Sequence, residues 1–143
     1  REKPSGTAIL DIGGDDAGAT ALGFYRNLIG ELPYDMYCIL NCYRPLTKTP
    51  EDAAQMLRDI EIASRLRCTG LINNSNLGAA TDAACISASF PFADAVAEKS
   101  GIRLIADTAA ADYLSPEELE KLASGRRLFV MRNITKNIYD RRS

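Results

Sequence analysis

Short apolar runs alternate along this chain with segments of helical periodicity, and that alternation restricts the fold more than any other feature. The runs are TAILDIGG (Thr7–Gly14), YDMYCILN (Tyr34–Asn41), TGLINN (Thr69–Asn74), IRLIADTA (102–109) and RLFVM (Arg127–Met131). Each is brief and bounded by glycine or polar residues, as buried strands are. Between them lie helix signatures. The clearest begins at Thr49, a good N-cap, with Pro50 in the first turn and Asp52 where the helix dipole favours an acid. Ala53, Leu57, Ile60 and Ala63 or Ser64 then recur at three- or four-residue steps, widened by Met56 and Leu66.

The other helices are marked in the same way. Leu22, Tyr25 and Leu28 or Ile29 form a helical stripe that Gly30 stops, with Asp16 near its start. Residues 75–101 predict a loop and one helix broken near Pro91 and closed by Gly101. Ser115-Pro116-Glu117-Glu118 is a capping box with proline at the first helical position, opening a helix that ends by Gly125. Strands alternating with helices predict an α/β fold with a mostly parallel sheet and flanking helices. At 143 residues the chain suits a single domain, 1–143.

Composition narrows the function. A net charge of −2 lacks the basic excess of a broad nucleic-acid footprint, and Arg126–Arg127 and Arg141–Arg142 read as ordinary solvated surface. No run approaches the ~20 apolar residues of a membrane span, and no signal-peptide pattern is present. The expectation is a cytoplasmic protein that engages neither nucleic acid nor membrane. The absence of histidine removes the commonest general base and metal ligand, and with it any Ser-His-Asp or Cys-His mechanism. Cys38, Cys42, Cys68 and Cys85 include no C-x-x-C pair and read as reduced, packed thiols. The chain opens Arg-Glu-Lys-Pro-Ser-Gly without a methionine and reaches its first apolar run at Thr7, which reads as a fragment.

In parallel α/β sheets ligands bind at the carboxyl ends of the strands. Those ends predict a polar rim: Asp11, Gly13, Gly14, Asp15 and Asp16; then Asn41, Tyr43 and Arg44; then Asn73, Asn74 and Asn76; then Asp107 and Thr108. Asp11 stands out, because an unpaired carboxylate inside an apolar strand is costly. An acid there suits a magnesium-bound water, and pairing with a backbone amide or an arginine is the structural alternative. The glycines permit close backbone approach. The spacing of GGDDAGA is not that of a dinucleotide fingerprint, and its acids suit a metal better than a bare phosphate.

Asp11-Ile12-Gly13-Gly14-Asp15 at the end of a strand is similar to the second nucleotide motif of P-loop NTPases of the MinD/ParA/nitrogenase iron protein group. The wider runs DIGGDDAGATALGFY, NCYRPLTKTPEDA and EIASRLRCTGLINNSNLG resemble an uncharacterised bacterial ATP-binding branch of that group, over Thr7 to Thr108. The resemblance implies ATP and Mg2+ as ligands. It assigns Asp11 to the metal, Gly14 to a switch segment with Asp15 beside it, and Asn73 or Asn74 to the adenine base, where an amide can donate and accept together. It also implies a nucleotide partner and a homodimer as one arrangement of the intact protein.

The family's phosphate loop, with its lysine, belongs N-terminal to everything in this sequence, and no Gly-Lys-Ser or Gly-Lys-Thr occurs. Phosphoryl transfer depends on that loop's amides and cation. Arg44 or Lys48 would be a poor replacement. ATPase activity is therefore expected only of an intact protein carrying the loop. The resemblance places the missing strand between Thr7–Gly13 and Tyr34–Asn41, so the chain is read as the C-terminal part of a longer nucleotide-binding domain. The alternative is a non-catalytic α/β binding or scaffold module.

Overall fold

A computed structural model of the chain describes residues 6–13 and 16–132. Four strands, β1 (Tyr37–Leu40), β2 (Gly70–Asn73), β3 (Leu104–Ala110) and β4 (Leu128–Met131), form one parallel sheet in sequential order β1-β2-β3-β4. The helices are α1 (Asp16–Phe24), α2 (Arg26–Gly30), α3 (Pro50–Ser64), α4 (Ala83–Ala88), α5 (Phe90–Ser100) and α6 (Pro116–Ala123). The α/β architecture with a parallel sheet is as the sequence predicts.

Local chemistry sets the helix boundaries where expected. Thr49 Oγ1 accepts the Asp52 amide at 3.1 Å, and α3 starts at Pro50. The break in residues 75–101 falls at Ser89, between α4 and α5, and Gly101 closes α5 in the left-handed region at φ 70°. The capping box of α6 is complete, with Ser115 and Glu118 each bonding the other's backbone. Only the first helical stripe breaks early. A turn at Tyr25 divides it into α1 and α2, leaving Tyr25 and Leu28 exposed.

Sequential order of parallel strands lets the connecting helices stack on one face of the sheet, where both cores lie. Leu40, Leu71, Ala53, Leu57, Ala93 and Val96 form the larger core between β1–β2 and α3–α5. Ile86, Ala109 and Leu122, with Leu128 against them, form the smaller one beneath α4 and α6. Side chains alternate along a strand, so Tyr37, Ile39 and Phe129 take the opposite face, where they are 47 %, 55 % and 61 % exposed.

The expected first strand, Thr7–Gly14, is a correction. Residues 7–13 lie outside the sheet, with Ile9 91 % and Leu10 63 % exposed. Gly14 falls outside the described residues. Residues 7–13 pair with no described strand, and an extended segment becomes a strand only where an adjacent one satisfies its backbone. Met36 and Leu40 turn their carbonyls to Thr69 and Asn74 on the β2 side. Tyr37 and Ile39, one residue out of phase, therefore turn their amides and carbonyls to an open edge, where no described strand pairs.

Candidate functional site

Three strand ends build the polar rim. At the end of β1, Asn41 Oδ1 accepts the Tyr43 amide at 3.0 Å, and the Asn41 carbonyl accepts Thr47 Oγ1 at 2.8 Å. The Cys42 amide donates to Ser75 Oγ at 3.0 Å, tying this turn to the one after β2. Asn76 donates to the Asn74 carbonyl at 2.8 Å and accepts the Gly78 amide at 3.1 Å. Tyr43 Oη donates to the Cys85 carbonyl at 2.7 Å. The neighbouring Cys85 and Cys42 thiols and partial burial raise the Tyr43 pKa well above its ordinary value, so the phenol stays protonated. The rim is a lattice of neutral amides and hydroxyls.

The two asparagines of this rim have different environments. Asn73 is buried, and its amide nitrogen donates to Ser89 Oγ at 2.9 Å and Asp107 Oδ1 at 2.8 Å. Its oxygen accepts from the Ser75 amide at 3.2 Å and the Ser75 hydroxyl at 2.7 Å. Both donors and both lone pairs are thus spent inside the protein. Asn74 is half-buried, and its Oδ1 accepts Thr108 Oγ1 at 2.7 Å from β3. Its side-chain amide protons have no partner among the described residues, so Asn74 alone of the pair keeps a donor for a ligand.

Asp107 was expected on the rim, but β3 continues to Ala110 and leaves it in the sheet interior. Arg126 Nε donates to its Oδ2 at 2.7 Å, and the two terminal nitrogens of Arg126 clasp Asp94 at 2.9 and 3.0 Å. The guanidinium lies over the Phe90 ring, 4.2 Å from its centroid. Hydrogen bonds to Asp94 and then Asp107 raise the Arg126 pKa further above its ordinary value. Reading Arg126 as solvated surface is therefore corrected, since its side chain is 20 % exposed. The sequence signal for this was Asp107 itself, a carboxylate in an apolar run that requires a cation.

Asp11 lies in the exposed segment before α1, so the burial cost that singled it out does not arise. Gly14 and Asp15 fall outside the described residues. Among the described residues no group of three or more acidic or cysteine side chains is placed to hold a metal. Arg44 and Lys48 are exposed on the connection after β1, with no side-chain partner among the described residues. Among the described residues no lysine-bearing phosphate cradle accompanies the rim, and what it offers chemically is amide and hydroxyl hydrogen bonding at the mouth of β2 and β3.

No described helix is long and apolar enough to cross a membrane. Compared with known proteins, the chain matches no family model, no curated protein and no solved structure.

Proposed function

We propose that this chain is the C-terminal portion of a MinD/ParA-like ATP-binding protein and supplies two sides of a nucleotide site. Asp11, Gly14 and Asp15 form the magnesium and switch side, and Asn74 makes the contact to the adenine base. Asn73 holds the end of β2 in place from within. The observation that carries this reading is the free amide of Asn74 at the carboxyl end of a parallel strand, braced by Thr108. Ligands of parallel sheets bind at that edge.

The open edge of β1 supports the same reading. Among the described residues no strand pairs with that edge, and Thr7–Gly13 with its exposed Ile9 and Leu10 stays outside the sheet, an arrangement that one further parallel strand would complete. In the resemblance that strand carries the phosphate loop. Magnesium would neutralise phosphate charge in the complete site, and the residues of this chain would orient base and cation. Hydrolysis would require the loop.

The test is calorimetry with ATP on the protein as its native host makes it, with and without magnesium. Magnesium-dependent binding that weakens in Asn74→Ala and Asp11→Asn is expected. Failure of a longer, loop-bearing product to bind ATP would refute the reading and favour the non-catalytic module. Homodimerisation on nucleotide binding is checked in the same samples by light scattering.

A further inference from the structure

The opposite edge of the sheet carries a different chemistry. Helix α3 runs back against the strands, so its last turn lies at their amino ends, away from the rim. Arg58, Glu61, Ile62, Arg65, Leu66 and Arg67 line an open cleft of about 490 Å³ there. Arg58 and Ile62, four residues apart, share one stripe of α3, and Arg65 caps the helix just beyond them. Ile62 is 74 % exposed. Arg103, exposed just before β3, adds a further cation along the same edge.

Only part of this charge is neutralised. Arg67 pairs with Glu61 at 3.2 Å, and the other Glu61 oxygen accepts the Cys68 amide at 2.8 Å. Arg58 bonds the neutral Gln55 side chain, whose amide in turn holds Asp59 at 2.8 Å. The Arg65 guanidinium has no side-chain partner among the described residues. Arg65 is also the one described non-glycine residue in the left-handed region, at φ 57°, where it caps α3. The equivalent position after α5 is Gly101. A side chain at this φ strains the backbone and glycine would not, so the fold itself gives no reason for arginine.

We infer that this cleft docks an acidic peptide segment of a partner protein, its carboxylates on Arg58, Arg65 and Arg67 and an apolar side chain against Ile62. An open cleft with an exposed isoleucine between arginines suits a peptide better than a small anion. The net charge of −2 makes a polynucleotide the poorer match. Arginine forks recognise carboxylates in two-point geometry, and charge complementarity also guides encounter.

The probe is a fluorescein-labelled peptide of alternating glutamate and leucine, titrated with the full chain by fluorescence anisotropy. Arg65→Gly is the decisive variant, because it relieves the strained φ while removing the guanidinium. The expected result is a melting temperature unchanged or raised, with affinity reduced on the order of tenfold, the worth of one charge-assisted bond. Arg58→Gln and Arg67→Gln weaken binding similarly, and raising the salt weakens it for the native protein. The inference is overturned if the native chain does not bind the peptide, or if Arg65→Gly binds equally well. It is also overturned if pyrophosphate or a single-stranded oligonucleotide binds with the same arginine dependence while the peptide does not. The result is independent of ATP binding, which concerns the other edge of the sheet.

Discussion

Replacing Asn73 with alanine separates a structural amide from a ligand-binding one. The native side chain makes four internal bonds: to Ser89 Oγ, to Asp107 Oδ1, and from the Ser75 amide and hydroxyl. Three neutral bonds at about 1 kcal/mol each and one to a carboxylate at about 1.5–3 kcal/mol sum to roughly 4–6 kcal/mol. Some is recovered in the variant. Ser89 Oγ still donates to the Ile86 carbonyl at 2.7 Å, and Asp107 retains Arg126. The expected loss is therefore about 3–4 kcal/mol, a large fraction of the roughly 5–15 kcal/mol by which domains are stable. Equilibrium urea unfolding followed by circular dichroism measures it, with Asn74→Ala as the control. Asn74 is half-buried with one side-chain bond from Thr108, so its truncation should cost about 1 kcal/mol or less. Equal losses in the two variants, or an Asn73→Ala loss below about 1 kcal/mol, would refute the division between them.

Arg126→Ala should destabilise by about 3–5 kcal/mol, because it strands the buried Asp107 carboxylate. Arg126→Lys should recover only part of this, as lysine lacks the fork that reaches Asp94 and Asp107 together; melting temperatures rank the series. Burial, with the Cys68 thiol beside it, pushes the Cys38 thiol up to about 12. An acid whose folded pKa is raised stabilises the fold fully below its unfolded value of about 8.5, and stability falls as pH climbs from there to about 12. Urea midpoints between those limits should decline less in Cys38→Ala, and iodoacetamide should label native Cys38 slowly. Gly23→Ala should loosen α1 from α3, since the new methyl would sit 2.7 Å from the Ala63 carbonyl oxygen, a backbone atom. The cost is about 1–3 kcal/mol, read as early protease cleavage near α1 and a lower melting temperature.

Much of the fold is legible in the chain because its signals are local. Thr49, Ser115 and Gly101 act within a turn or two of themselves, and their helix boundaries fall where the side chains can bond the backbone. The candidate site is less legible. Asn73 and Asn74 are adjacent and chemically identical, yet the pleat sends one inward to Ser89 and Asp107 and the other toward Thr108. Period-two alternation separates neighbours in this way, but which of the two faces the core depends on register.

By itself, then, the sequence determined the succession of strands and helices from the second apolar run onward, the α/β class and the chemical character of the strand ends. All of these follow from periodicity and capping over a few residues. The tertiary structure alone decided that Thr7–Gly13 stays outside the sheet, because a strand exists only where its backbone pairs and these residues pair with no described strand. It also decided that Arg126 reaches back 19 residues to Asp107 and 32 to Asp94. Pairings of that separation are set by how the helices pack on the sheet, where a buried carboxylate must be answered by whichever cation the fold brings within reach.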